Sequence, residues 1–173
     1  DNFDVMAHGY KPVGGLFPET SIGWYRKHFM VAAADSGQRF QLQFDGIFRD
    51  AEIWLNGFYL GNNKSGYVGV NYDITDYINY QKDNVLVVRA DASQYEGWFY
   101  EGAGIYRHVW LNKYPDAHIA TDGVFAWSDT KGTVSTVHVE TTVENRSPGQ
   151  SSFTVSSFIT DRSGKKLVQS KEQ

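Results

Sequence analysis

Reactive and stacking side chains concentrate between residues 94 and 107, where the chain reads Gln-Tyr-Glu-Gly-Trp-Phe-Tyr-Glu-Gly-Ala-Gly-Ile-Tyr-Arg. Aromatic faces near carboxylates suit the C–H faces and hydroxyls of a sugar, and the glycines permit tight backbone geometry. The plainer reading is a rigid loop whose rings plug one end of a β-fold. Elsewhere no familiar catalytic signature stands in the sequence. The chain has no G-x-S-x-G elbow, no H-E-x-x-H, no P-loop and no G-x-G-x-x-G after a strand. Gly102-Ala103-Gly104 is too short to cradle a phosphate, and no helix follows it. His8, His28, His108, His118 and His138 lack ligand-like spacing, and the absence of cysteine removes disulfides and thiolate metal sites. No metal site is therefore expected. Asp45, Asp50, Asp73, Asp76 and Asp91 fall near strand ends, where capping turns accounts for them. A structural Ca²⁺ built from such loop oxygens stays open. Asn63-Lys64-Ser65 and Asn145-Arg146-Ser147 match the glycosylation sequon, a pattern too common to decide anything.

The elements around these groups read as strands. In Arg39 to Asp45 (RFQLQFD) the apolar side chains fall on every second residue, as a half-buried strand requires. Ala51, Ile53 and Leu55 alternate with Glu52 and Trp54, then Asn56-Gly57 predicts a type I′ turn, with Phe58-Tyr59-Leu60 returning. Asn84 to Asp91 (NVLVVRAD) reads as a central strand with both faces largely apolar, and Ile105 to Asn112 (IYRHVWLN) as one further alternating strand. Only Asp73 to Tyr80 suggests a helical turn, capped by Asp73 or Thr75. Strands at short intervals without a long helical pattern predict an all-β sandwich. Aromatic residues reach 16% of the 173 residues, which fits strand-rich folds and ring-stacking surfaces alike. A net charge of −4 argues against nucleic acid as a partner, and no apolar run approaches the roughly 20 residues of a membrane helix.

Composition shifts near Tyr114-Pro115-Asp116: Trp24, Trp54, Trp98 and Trp110 precede that point, and only Trp127 follows it. Beyond it Ser and Thr thicken, and plainer strands are expected over 119–127, 133–144, 152–160 and 165–169, separated by turn signals. Two domains follow, residues 1–114 and 115–173. The second holds about half the roughly 100 residues of an immunoglobulin-type sandwich, so it reads as a truncated domain and the chain as a fragment of a longer protein. Its apolar face, from Val137, Val139 and Val143 with Phe153, Val155 and Ile159, would lack cover and favour self-association.

An ordered set of motifs then carries a resemblance. Gly23-Trp24-Tyr25-Arg26-Lys27-x-Phe29, Phe44-Asp45-Gly46, Ile53-Trp54-Leu55-Asn56-Gly57, Leu60-Gly61, Gly66-Tyr67, Tyr72-Asp73-Ile74-Thr75 and Gly104-Ile105-Tyr106-Arg107-x-Val109-Trp110-Leu111 follow one another. The set resembles the N-terminal sugar-binding domain of family 2 glycoside hydrolases, the β-galactosidases, β-glucuronidases and β-mannosidases. Glu96-Gly97-Trp98-x-Tyr100-Glu101-Gly102 looks most like the β-galactosidase-type members of gut Bacteroidetes. Many members carry histidine where Asn63 stands. The resemblance implies a jelly-roll, galactose-binding-like β-sandwich followed by a partial immunoglobulin-like β-sandwich, in a periplasmic or secreted bacterial protein.

It also implies where chemistry should lie. In the family, retaining hydrolysis belongs to a separate (β/α)₈ barrel that carries the glutamate acid/base and the glutamate nucleophile. Such a pair sits about 5–5.5 Å apart across the glycosidic bond. Glu96 and Glu101 imitate that pair on paper, but they read as loop carboxylates, and no catalytic residue is expected in this chain. The resemblance places Glu96, Trp98 and Glu101 as candidates for the rim of the sugar pocket, with no cofactor beyond the open Ca²⁺. Arg107 is expected to pair with a carboxylate on a strand, and Asn56 to serve the hairpin turn. The expected partners are a β-galactoside-like carbohydrate in the full enzyme and the barrel domain. Two other readings stay open, an autonomous carbohydrate-binding module and a purely structural interaction domain. An exposed Trp54 or Trp98 would favour the module, and burial of both the structural domain.

Overall fold

A computed structural model describes residues 22–93 and 103–172. The chain is an all-β protein that divides into two compact units, Asp1–Lys113 and Tyr114–Gln173.

Two antiparallel sheets face each other in the first unit. One has the order β1-β7-β4-β5, from β1 (Ile22–Met30), β7 (Asp83–Asp91), β4 (Ala51–Leu55) and β5 (Phe58–Asn63). The other has the order β6-β2-β9, from β6 (Val70–Asp73), β2 (Arg39–Phe44) and β9 (Val109–Tyr114). A short pair, β3 (Ile47–Phe48) with β8 (Gly104–Ile105), lies at one end. The core follows from the period of two. Phe40, Leu42 and Phe44 of β2 are buried, as are Ala51, Ile53 and Leu55 of β4 and Leu86, Val88 and Ala90 of β7. β7 is central, paired on both sides, but its faces differ: the outward Val85, Val87 and Arg89 are only half-buried.

The hairpin turns where Asn56-Gly57 stands, with Leu55 opposite Phe58 and positive φ at both turn residues. Asn56 does more than turn the chain. Its amide donates to the carbonyl of Tyr77 and to Oδ1 of Asn84, while its Oδ1 accepts from the N–H of Val85. Asn84 is fully buried and satisfied within the same network, donating to the Asn79 carbonyl and accepting from the Asn79 N–H.

Several expectations need correction. The strand expected over 105–112 is two pieces, because Tyr106 leaves the ladder to donate its hydroxyl to the Gly66 carbonyl at 2.8 Å. Arg107 lies exposed in the bend between them and forms no ion pair among the described residues. β1, β3 and β6 were not anticipated as strands. The helical turn is a single 3-10 turn, Thr75–Tyr77, and Asp73 serves it by accepting from both the N–H and the hydroxyl of Thr75.

The second unit consists of two hairpins. β10 (Ala117–Lys131) pairs with β11 (Val134–Asn145), with an irregularity between Ile119 and Val124, and β12 (Val155–Thr160) pairs with β13 (Lys166–Glu172). A gap of about 220 Å³ between them is lined by Val137, Val139, Thr141, Val155, Ser157, Ser170 and Glu172. None of the described residues of this unit is fully buried.

Candidate functional site

Glu96, Trp98 and Glu101 lie outside the described residues, but the points at which their segment leaves and rejoins the sandwich are described. On the near side the N–H of Asp91 donates to the carbonyl of Arg49 at 2.9 Å. Ser93 then folds back on Asp91, donating its N–H and hydroxyl to the carboxylate. Those bonds, with Arg89 at 2.6 Å, hold the Asp91 carboxyl below the usual carboxylate range. On the far side Gly104 pairs with Phe48. Both ends of the segment are thus tied to Phe48-Arg49.

Phe48 and Arg49 also begin the wall of an open cleft of about 670 Å³, completed by Asp50, Lys64, Ser65, Gly66 and Tyr67. Its floor is aromatic. Phe48 is buried and meets Tyr67 edge-on at 5.7 Å, and the Arg49 guanidinium lies 6.0 Å from the Phe48 ring centre. Arg49 Nε pairs with the Asp50 carboxylate at 3.2 Å. The loop Lys64–Tyr67 is held from below by Asn63, which is buried: its amide donates to the Val68 carbonyl, and its Oδ1 accepts from the Ser65 N–H. Its amide is committed inside the fold, so this sequon offers no accessible acceptor, whereas Asn145 of the other is exposed. Gly66 has a packing cause, since a Cβ there would come within 2.0 Å of the Phe48 ring. Gly104 combines a φ of +85° with a would-be Cβ 2.0 Å from the Tyr25 hydroxyl.

The arrangement offers aromatic faces, a guanidinium, an ammonium and a carboxylate around a solvent-open cleft. Those groups can stack on a pyranose and hydrogen-bond its hydroxyls. Arg49, Asp50, Lys64 and Tyr67 were not singled out from the sequence as site residues. Asp50 read as a turn cap, and nothing in the one-dimensional pattern brings 48–50 beside 64–67.

Of the strand-end carboxylates, Asp45 accepts from the Trp110 indole at 2.8 Å and from the Gln43 amide at 3.0 Å, and Asp73 from Thr75 and Arg39. Each described histidine has a local neighbour: His28 pairs with Asp83, His108 lies beside Trp110, His118 stacks on Tyr114, and His138 stacks on Trp127. Among the described residues no group of three or more His, Cys, Asp or Glu could hold a metal ion, and no helix is long and apolar enough to cross a membrane.

The first unit is thus a two-sheet antiparallel sandwich that carries an aromatic, polar-rimmed cleft. The profile of the glycosyl hydrolases family 2 sugar binding domain matches residues 16–115, and the chain belongs to that family. It is 36% identical over 160 residues to the beta-galactosidase BoGH2A of Bacteroides ovatus, covering 91% of this chain and 19% of that protein. It is 25% identical over 186 residues to a beta-glucuronidase of Formosa agariphila, covering 95% and 19% respectively. A glycosyl hydrolase family 2 member from Bacteroides cellulosilyticus superposes with a TM-score of 0.83 at 31% identity, over 87% of this chain and 21% of that one. The chain therefore spans about a fifth of the length of the curated relatives it matches.

Proposed function

We propose that this chain is the sugar-binding sandwich of a β-galactosidase-like retaining glycosidase, and that it builds the rim of a sugar pocket whose hydrolytic carboxylates sit on a separate barrel domain of the parent protein. The segment 94–102 and the cleft wall form that rim together. Glu96, Trp98 and Glu101 contribute from the segment, and Arg49, Lys64 and Tyr67 from the wall. The observation that carries this reading is the double tether at Phe48-Arg49, by hydrogen bond to Asp91 and strand pairing to Gly104. It fixes the roots of an acid- and aromatic-rich segment beside an open cleft of about 670 Å³.

The test uses the parent enzyme and a chromogenic β-galactoside. Trp98→Ala and Glu96→Gln are expected to raise KM several-fold with a smaller effect on kcat, as loss of ground-state positioning does. The 173-residue chain alone is expected to give no turnover above the blank. Unchanged KM in both variants would overturn the rim assignment, and turnover by the isolated chain that vanished with Glu96→Gln would overturn the division of labour.

A further inference from the structure

One side chain joins the cleft loop to the backbone where the segment 94–102 rejoins the sandwich. Tyr106 stands two residues past Gly104, and its hydroxyl donates to the Gly66 carbonyl at 2.8 Å. The backbone that carries it is fixed on both sides. Before it, Gly104 and Ile105 pair with Phe48 and Ile47; after it, the His108 carbonyl accepts from the N–H of Asp45 at 3.0 Å. The path of the ring is equally narrow. A Cβ on Gly46 would come within 2.7 Å of the Tyr106 ring and 2.8 Å of its hydroxyl oxygen, so the ring passes directly over that backbone.

At its far end the hydroxyl meets a loop that Asn63 and Ser65 hold by local bonds. Asn63 binds the N–H of Ser65 and the carbonyl of Val68, and the Ser65 hydroxyl accepts from the N–H of Tyr67 at 3.2 Å. Such contacts shape the loop on itself. The bond from Tyr106 comes from 40 residues away and ties the loop to the β8–β9 junction. It does so at Gly66, which lies against the Phe48 ring that Tyr67 meets edge-on. Tyr106 is 52% exposed, so little of its contribution comes from burial. What marks the position is the hydroxyl.

We infer that Tyr106 is a positioning residue for the sugar rim. Its hydroxyl fastens the loop carrying Lys64 and Tyr67 to the backbone at Gly104 and so holds that wall of the cleft in place. The role rests on the rim reading above. Tyr106 acts through Gly66 and needs no contact with the sugar.

The test compares Tyr106→Phe, which keeps the ring and deletes the bond, with Gly46→Ala, which keeps the hydroxyl and displaces the ring. In the parent enzyme with a chromogenic β-galactoside, each is expected to raise KM roughly three- to tenfold, the worth of one hydrogen bond, while kcat changes less than about twofold. Tyr59→Phe removes the same atom from an exposed ring on β5 and is expected to leave both constants unchanged. Hydrogen exchange on the 173-residue chain supplies a second readout. Tyr106→Phe is expected to speed exchange at the Ser65 and Tyr67 N–H groups and to leave β2 and β4 unchanged. Unaltered exchange at Ser65 and Tyr67 overturns the inference. So does an unchanged KM in Tyr106→Phe where Trp98→Ala raises it, a result that leaves the rim reading standing. A fall in kcat as large as the rise in KM, or faster exchange throughout β2 and β4, assigns Tyr106 to the stability of the whole sandwich and overturns the positioning role as well. If Trp98→Ala and Glu96→Gln both leave KM unchanged, the rim reading itself fails and the positioning role falls with it.

Discussion

Phe40, Leu42 and Phe44 on β2 are each 3% exposed or less, and Ile53 and Leu55 on β4 are fully buried, whereas Val137 and Val139 on β11 remain 44% and 42% exposed. The strands share one pattern, apolar side chains on every second residue. In the first unit two sheets of four and three strands close on each other and remove that face from water. In the second, two hairpins leave a gap between β11 and β12. Alternation creates an apolar face, but burial needs an opposing sheet broad enough to cover it. The comparison explains why one unit can hold a cleft in fixed geometry, with Phe48 buried beneath it, while the other shows no comparable anchor.

The sharpest way to break this comparison is to truncate one apolar side chain in each unit. Ile53→Ala is expected to cost about 2–5 kcal/mol, since its cavity would be enclosed on all sides. Val139→Ala should cost under about 1 kcal/mol, because much of the removed surface already meets water. Urea denaturation of both variants measures the difference. A large cost at Val139 would mean that its face is covered in solution, and sedimentation would then show whether a second copy of the chain supplies the cover.

The contrast also separates what the sequence made legible from what it hid. Ala51-x-Ile53-x-Leu55 with Asn56-Gly57 specifies its hairpin locally, because a two-residue turn with positive φ permits one register. β1 was harder to read. Arg26, Lys27 and His28 interrupt its alternation, and at the sheet edge only Gly23 and Phe29 are even half-buried. The run Ile105 to Asn112 looks continuous because its alternation persists through Tyr106. What breaks it is a bond to Gly66, 40 residues away. The cleft depends on the same kind of distant meeting. Family motifs pointed to the segment after Ser93, but the wall from 48–50 and 64–67 exists only once β3 finds β8. Trp54 shows both limits. Its outward direction follows from the alternation with Ile53 and Leu55, whereas its stacking on Trp24 needs the strand order.

A second test compares two carboxylates whose pKa is lowered, one in each unit. For Asp73, partial burial pushes the carboxyl up, but hydrogen bonds from Thr75 and the Arg39 guanidinium outweigh it and leave the group below the ordinary range. A carboxyl depressed in the folded state adds stability that is present above the unfolded value, near pH 4, and is lost as pH falls through the folded value. The first unit should therefore lose stability on acidification below about pH 4, and Asp73→Asn should flatten that part of the profile. Asp161 is also lowered, by Ser163 and the turn N–H groups of 163–165, but it is wholly exposed in a loop. Asp161→Asn is expected to leave the acid limb of the first unit's transition unmoved. An equal effect from both would mean that the two units unfold as one.

The smallest expected effect has the opposite sign. Tyr72 lies on β6 with its ring edge-on to Phe44 at 6.5 Å, and its buried hydroxyl has no hydrogen-bond partner among the described residues. Burial, reinforced by the neighbouring Tyr59, raises the phenol above its usual value, so the group stays neutral and its proton is committed to no acceptor. A buried hydroxyl that has given up water without replacing it is a cost, on the order of 1 kcal/mol or somewhat more. Tyr72→Phe keeps the ring and its contact with Phe44 while removing that cost. It is expected to stabilise the first unit by up to about 1 kcal/mol, a rise of a few degrees in Tm by calorimetry, with the second unit unchanged. A fall in Tm would show that the hydroxyl holds an ordered water, so that this position in the sandwich is satisfied after all.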